Sequence, residues 1–525
     1  MKYKHIIYIL LIALIPGACT DNFEEMNKDP YQISDESLLQ DFNQIGSFFP
    51  TMLANIIGEQ VQNNLSNDAF VRHLATPTPF VGGANNTTYN ITWNSYWGRI
   101  YNTIMSPSFQ VIQLAEEAEE EVFVSWAKLI RIMGASRLSA WHGPIIYSNF
   151  GSSSQAIMYD SEEVLYNTWF AELDDIVATF DANPDYPGLS SFDDSFGGEV
   201  TNWAKLANTL RLQLALRLTK VAPELARTEG EKAIAAQAGL ISTNSDNFFI
   251  SLYGQQFHPA VVAYSWNDTR MSASMESILI GYEDNRIASY FEPAQIPALY
   301  SDHPEWPYKG IHAASFLAAK DQRLTYSNIS EDFISAEERR YLTATETHFM
   351  LAEAALRNWA GTMSAQEHYE EGVRLSFAEW GAGGVDEYLA NNTGMPLDYN
   401  DPMAEGDVND FQSRITTTVA WDEAVSNEEK LEKIITQKWI ASYMNTVEIW
   451  VDHRRTGYPK LPYNYKNESN STWGIIGDEE FLKRMPFVEA ERENNPQGVA
   501  DATQKLGGPD LISTRLWWDV EGPNF

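Results

Sequence analysis

The sequence predicts an all-α fold of paired helices interrupted by long inserted loops. Three observations lead there. Apolar residues recur at intervals of three and four along most of the chain. The candidate helices stand next to one another with short turns between them. Between the pairs lie irregular stretches rich in Trp and Tyr. At 525 residues, 44% hydrophobic and 21% charged, the chain is long enough to bury a large core and has the composition of a globular protein.

The chain opens with Lys2 and Lys4, an apolar run of ten from Ile6 to Ile15, and then Pro16, Gly17, Ala18 and Cys19. A positive start, an apolar run too short to cross a bilayer, and small residues before a lone Cys read as a secretory signal over residues 1–18. Cys19 is then the acylated first residue of the mature protein, although Pro16 stands where such boxes usually carry Leu. As the only cysteine, Cys19 leaves no intrachain disulfide and no Cys-based zinc site. Residues 19–37 are polar, acidic and broken by Pro30, and read as a lipidated tether. Residues 38–525 read as a single helical domain with inserted ligand-binding loops. No later stretch is apolar over the length a membrane span needs, so lipid alone is the expected attachment.

The periodicity predicts helices from Trp93 to Glu121, Val122 to Trp141, Ser161 to Phe180, Asn202 to Val221, Thr343 to Trp359, Ser364 to Trp380 and Asn427 to Tyr443. Ser161 before Glu162 and Glu163, and Asn427 before Glu428 and Glu429, suit helix N-termini by capping and by dipole. Leu351, Ala352 and Ala355, followed by Ala365, Tyr369 and Gly372, approximate the small–large spacing of a tetratricopeptide unit, with Gly372 replacing the usual Ala. No second unit is as clear, so the residues support helix pairs and leave an array open. The inserts run from Thr76 to Ile91, Asp181 to Val200, Asn247 to Arg270, Glu292 to Tyr326, Gly381 to Trp421 and Leu461 to Ile512. Loops of this length are functional or disordered, and Trp266, Trp306 and Tyr308 argue for order.

Charge narrows the ligand class. With 36 Lys+Arg against 72 Asp+Glu, the net charge of -36 repels phosphate backbones and anionic headgroups, so no nucleic acid is expected. A neutral ligand is indifferent to that field. Most of the 16 Trp, 25 Tyr and 25 Phe are expected in the core, and the remainder leaves room for rings that stack on flat, uncharged faces. The nine histidines form no H-E-x-x-H pair. Gly134, Ser136 and Leu138 lack the second glycine of a nucleophile elbow, and no phosphate loop or dinucleotide fingerprint is present. Asp193 with Asp194, and the run from Asp407 to Asp410, lack the spaced oxygens of an EF-hand; a structural calcium is the one cofactor they leave open. Glycosidase chemistry needs only two carboxylates about 5–10 Å apart, so motif absence says little against it.

Several ordered blocks resemble the SusD/RagB family of outer-membrane nutrient-binding lipoproteins. The acidic stretch from Cys19 to Pro30 is similar to the family's segment after the lipidated Cys. Trp93, Tyr96 and Trp97 with Tyr101 resemble its first helical block, and Trp141 to Tyr147 the end of the next. Trp203, Lys205, Ala207, Asn208, Leu210 and Arg211 resemble a further helix. Phe349 to Ala354, Gln437 to Trp439, Glu448 to Trp450, Arg454 to Pro459, Arg484 to Phe487 with Glu489 and Asn494, and Trp517 to Asp519 follow in the family's order. The resemblance implies four tetratricopeptide-like helix pairs packed against a loop-rich binding region. It also implies a surface-exposed, lipid-anchored protein that binds a glycan, or in some members a peptide. Its expected partner is a SusC-like TonB-dependent transporter, to which it delivers ligand without transforming it.

The expected ligand contacts are Phe80, Asn85 and Tyr89 from the first insert, with Arg72 beside it, and Trp266, Trp306 and Tyr308 from later ones. They are aromatic or polar residues in irregular segments, where such a family varies its ligand. Trp93, Trp97, Trp203, Trp439 and Trp450 are expected in the helical core, and Arg454 and Arg455 in structural ion pairs. A peptide binder and a secreted carbohydrate-active enzyme are the alternatives.

Overall fold

The computed structural model describes residues 42–77, 85–251, 259–295, 306–315, 320–336, 338–401 and 408–525. Residues 1–37, with Cys19, and Phe80 lie outside the described residues. The chain forms two compact units, Met1–Gly46 and Ser47–Phe525. The described part of the first is Phe42–Gly46, with one helical turn at Asn43–Gly46.

The second unit begins with α1 (Phe49–Asn55), whose Phe49 ring stacks on Trp126 at 3.7 Å between centroids. β1 (Leu74–Ala75) follows. The first expected helix starts later than its periodicity suggests. Trp93 stays half-buried in the preceding loop, and α2 (Tyr96–Ile100) is joined to α3 (Ser106–Glu117) by a π-helical turn, Tyr101–Met105. The register shifts just before Pro107, which has no N–H with which to continue a regular ladder.

α4 (Glu121–His142) and α5 (Glu162–Ala182) match the sequence reading, and the Ser161 hydroxyl accepts from the Val164 N–H at 3.4 Å. α6 (Val200–Arg217) stops short of the expected end. α7 (Pro223–Ile234) was not anticipated, because the stripe it buries is Ala226, Glu229, Gly230 and Ala233, with no large apolar residue; Pro223 starts it where the missing N–H costs nothing. β2 (Phe248–Ser251) and α8 (Pro259–Trp266) lie in the third expected insert, β3 (Arg270–Met271) at its end, and α9 (Ala273–Gly281) and β4 (Glu338–Leu342) in stretches for which no element was expected.

α10 (Ala344–Leu356) and α11 (Ala365–Glu379) both open with capping boxes, Thr343 with Glu346 and Ser364 with Glu367. α12 (Asn427–Ala441) is capped by Ser426, whose hydroxyl accepts from the Glu429 N–H at 3.3 Å, and not by Asn427, which is already helical. α13 (Thr446–Thr456) follows directly. α14 (Pro496–Leu506) lies within the last expected insert.

Consecutive helices pack as pairs: α3 with α4, α5 with α6, α6 with α7 and α10 with α11. At the α10–α11 contact, a Cβ on Gly372 would sit 2.9 Å from the Phe349 ring. Even Ala would have to push that ring aside, which is why Gly stands there. The mostly helical architecture is the one the sequence predicts. The strands form two antiparallel pairs, β1 with β3 and β2 with β4.

The core is a continuous aromatic seam. Trp126 meets Trp203 at 5.2 Å, Trp203 meets Phe248 at 5.3 Å, and Phe248 meets Tyr341 at 5.8 Å. Trp97, Trp203, Trp439 and Trp450 are buried as expected. α12 and α13 are buried on nearly every face, so their charged residues must pair inside the protein. Arg455 forks onto Glu353 at 2.7 and 2.6 Å, and Asp452 bonds Arg455 at 2.7 Å and Lys438 at 2.8 Å. Burial alone would raise the Glu353 carboxyl, but Arg455 and Arg357 pull it down to about 2. Arg454 differs from its expected ion pair. It donates to the carbonyls of Trp450, Lys483 and Ala140 and lies 3.7 Å over the Trp450 ring and 4.7 Å over Trp518. Among the described residues, no helix is long and apolar enough to cross a membrane.

Two outcomes follow for stability. Arg455→Met leaves Glu353 and Asp452 as buried carboxylates short of a cation, and chemical denaturation should show a loss of about 3–5 kcal/mol. His453, in the last turn of α13, is held neutral by burial and by the facing cations Arg72, Lys483, Arg414 and Arg454, with its pKa pushed down to about 3. The unfolded chain therefore binds the proton first, so this group's contribution is intact above about 6.5 and is lost as pH falls toward about 3. Denaturation between pH 6.5 and 4 should show a shallower pH slope in His453→Leu than in the parent, by up to about 1.4 kcal/mol per pH unit.

Candidate functional site

The loops are sewn to the helical frame through β1 and β3. Leu74 pairs with Met271 and Ala75 with Arg270, so the start of the first insert runs beside the end of the third. The Ser272 hydroxyl, N-cap of α9, accepts from the Met275 N–H at 3.2 Å and donates to the Arg72 carbonyl. From β3 an irregular ladder spreads outward. Met271 N–H donates to Ser327 O, Ile311 N–H to Met271 O, Ser327 N–H to Lys309 O and Ala294 N–H to Pro307 O, at 2.8–3.0 Å. Gly310 permits it, because a Cβ there would lie 2.2 Å from the Ser272 carbonyl oxygen.

On this ladder sits a pocket of about 330 Å³. Tyr264, Asn267, Arg270, Glu292, Tyr326 and Asn328 line it, together with Gln295 and Leu324. Arg270 is buried, and burial with the nearby Arg323 lowers its pKa to about 10. The Tyr326 hydroxyl donates to Asp401 at 2.6 Å, which fixes that ring at the wall. Asn267 ends α8 with φ of 57°, a left-handed turn that Asn tolerates well. Trp266, between the lining residues Ser265 and Asn267 in sequence, is 61% exposed and is not itself part of the pocket wall. A small polar pocket walled by Tyr264 and Tyr326 suits a sugar, whose C–H face stacks while its hydroxyls seek donors and acceptors.

A second cluster ties the first insert to the last. Asn85 caps the turn Asn86–Thr88 by accepting from the Thr87 N–H at 3.0 Å, and Tyr89 follows with φ of 68°. Glu468 N–H donates to Thr88 O at 2.8 Å, and Asn464 Nδ2 to Thr87 O at 2.9 Å. Arg72 donates to Ala69 O, Pro462 O and the Tyr89 hydroxyl and lies 5.4 Å over the Phe481 ring. Tyr465, 47% exposed, is anchored by its N–H to Ala313 O and by its ring against His312.

The expected contact residues therefore separate. Trp266 is exposed, and Trp306 is half-buried with its carbonyl bound by the Tyr308 N–H at 2.7 Å. Tyr308, Arg72, Asn85 and Tyr89 are buried, the last three within the loop hydrogen bonds described above. Phe80 lies outside the described residues. Sequence reasoning did not single out Tyr264, Asn267, Glu292, Asn328 or Tyr465. Only the Trp–Asn step at 266–267 carried a signal, as a helix stop.

Neither acidic run resembles a metal site where it is described. Asp193 accepts from the N–H groups of Ser195, Phe196 and Gly198 and from the Trp203 indole, which occupies both its oxygens. Asp410 accepts from the Asp401 N–H at 2.7 Å, while Asp407 lies outside the described residues. Among the described residues no three His, Cys, Asp or Glu side chains are placed to hold a metal ion. A larger hollow of about 840 Å³ against α3, α4 and α5 is lined by Glu116, Glu119, Glu120, Glu121 and Asp175, with no aromatic ring for stacking.

A family model described as "Susd and RagB outer membrane lipoprotein" matches residues 25–519. Among solved structures, a chitin-binding SusD homolog from Flavobacterium johnsoniae is 39% identical, with a TM-score of 0.86 over 92% of this chain and 100% of that one. A SusD homolog from Bacteroides uniformis is 33% identical, with a TM-score of 0.84 over 91% of this chain and 99% of that one. Another from Bacteroides vulgatus is also 33% identical, with a TM-score of 0.83 over 92% and 99%. No curated protein matches the chain.

Proposed function

Because this chain belongs to the SusD-like family of outer-membrane lipoproteins, we propose that it binds a neutral glycan and hands it to a SusC-like TonB-dependent transporter. Cys19 carries the lipid that holds it at the membrane, with the binding loops facing the cell exterior. The glycan class we favour is a β-linked N-acetylglucosamine oligomer. One relative, 39% identical over nearly its whole length, is described as chitin-binding. The observation that carries the reading is the small polar pocket lined by Asn267, Arg270, Glu292 and Asn328, with an exposed indole, Trp266, next in sequence to one of its lining residues.

The physics of hand-over agrees with such a site. One exposed indole and a few amide and carboxylate contacts give modest affinity, since each immobilised ligand segment loses conformational freedom on binding. A transporter needs its feeder to let go. The net charge of -36 leaves a neutral oligosaccharide unaffected and disfavours uronic or sulfated chains. Catalysis plays no part in this role.

Titration calorimetry with N-acetylated chitooligosaccharides tests it. Trp266→Ala should lose about 1 kcal/mol of binding energy, roughly a fivefold weakening, and Trp306→Ala a comparable or smaller amount. Unchanged affinity with both rings removed would end their assignment. Binding of peptides in place of saccharides would move the protein to the peptide-binding branch of the family, and release of shorter sugars would make it an enzyme.

A further inference from the structure

The pocket holds a fully buried cation whose hydrogen bonds run to neutral groups. Arg270 donates from Nε to the Arg323 carbonyl at 3.1 Å and from Nη1 to the Thr269 carbonyl at 2.7 Å. Its remaining bonds go to two side-chain amides, Nη1 to Asn328 Oδ1 at 3.3 Å and Nη2 to Asn267 Oδ1 at 3.0 Å. A guanidinium has only donors, so the atom each amide turns toward it must be the oxygen. Both NH₂ groups are thereby turned away from Arg270, and both asparagines line the pocket. Asn267 Nδ2 reaches the Ser265 carbonyl only at 3.5 Å, and Asn328 Nδ2 has no acceptor among the described residues.

We infer that Arg270 is a positioning residue that presents two amide N–H donors to the pocket and so fits it to a ligand bearing a carbonyl acceptor, specifically the acetamido group of an N-acetylated hexosamine. This deepens the glycan reading above and rests on it. An acetamido group offers a carbonyl oxygen, which such donors satisfy, and an N–H, for which the Glu292 carboxylate on the same pocket is a matching acceptor. A plain hexose carries only a hydroxyl at that place. Without Arg270 the amides are free to turn either way, and the donor pattern is lost.

Isosteric changes separate positioning from folding. Asn328→Asp and Asn267→Asp keep the shape, let the new carboxylate pair with Arg270, and remove the NH₂ donors. Asp also tolerates the left-handed turn at position 267. The probes are chitopentaose, its fully deacetylated counterpart and cellopentaose, titrated into the intact protein alongside a thermal melt. The parent should prefer chitopentaose to cellopentaose by roughly tenfold. The double variant Asn267→Asp with Asn328→Asp should keep or raise the melting temperature and lose that preference, while the cationic deacetylated oligomer gains. Arg270→Gln should lower both the melting temperature and the preference, whereas a merely structural Arg270 would lower only the first. A double variant that retains the parent's chitopentaose-to-cellopentaose ratio overturns the inference and leaves the glycan reading standing. A parent that binds none of the three overturns both.

Discussion

The buried carboxylate–guanidinium network on α13 is the constraint on which the rest depends. α12 and α13 are enclosed on nearly every side, yet they carry Lys438, Glu448, Asp452 and Arg455. Each charge removed from water costs several kcal/mol, and only close, multiply bonded partners offset it. Those partners come from elsewhere in the chain: Glu353 on α10 for Arg455, and Arg217 on α6 for Glu448. The geometry that satisfies the charges also fixes where α6, α10, α12 and α13 stand relative to one another. A hydrophobic core of equal volume tolerates sliding; paired charges at 2.6–2.8 Å do not.

The loops take their order from that frame. β1 and β3 are only two residues each, too short to be stable alone, but they lie where the Ser272 hydroxyl joins the α9 cap to the Arg72 carbonyl. Backbone bonds then pass the placement outward through Ile311, Ser327 and Ala294 to the pocket rim. Most of the aromatic side chains serve this construction and are hidden by it. Trp266 is the last residue of its helix, directly before the left-handed Asn267, and stays exposed.

Much of the fold was legible in the sequence. Capping boxes at Thr343 and Ser364, the serine at 161 and the small residue at 372 are local devices, readable wherever a helix must start or two helices must touch. The helices that escaped notice were not all silent, since α7 and α14 are amphipathic and each opens on a Pro, α14 also closing on Gly507. α7 buries a stripe of small and polar residues, Ala226, Glu229, Gly230 and Ala233, α8 is apolar with almost no period, and α14 lies inside a segment dense in turn-forming residues. Asn427 and Ser426 are adjacent cap candidates, and only the bond to Glu429 separates them.

The sequence by itself determined that the chain is helical, which family it joins, and that a neutral ligand suits its charge. Periodicity, composition and ordered motifs are properties of neighbouring residues, so they survive without coordinates. Only the tertiary structure decided which aromatic and polar loop residues face solvent. Arg72, Asn85 and Tyr89, expected as contacts, are buried and bonded to neighbouring loop groups, whereas Asn267, Glu292 and Asn328, which looked ordinary, line the pocket. Exposure and amide orientation depend on partners dozens of residues away, such as Arg270 to Asn328, and no local pattern encodes them.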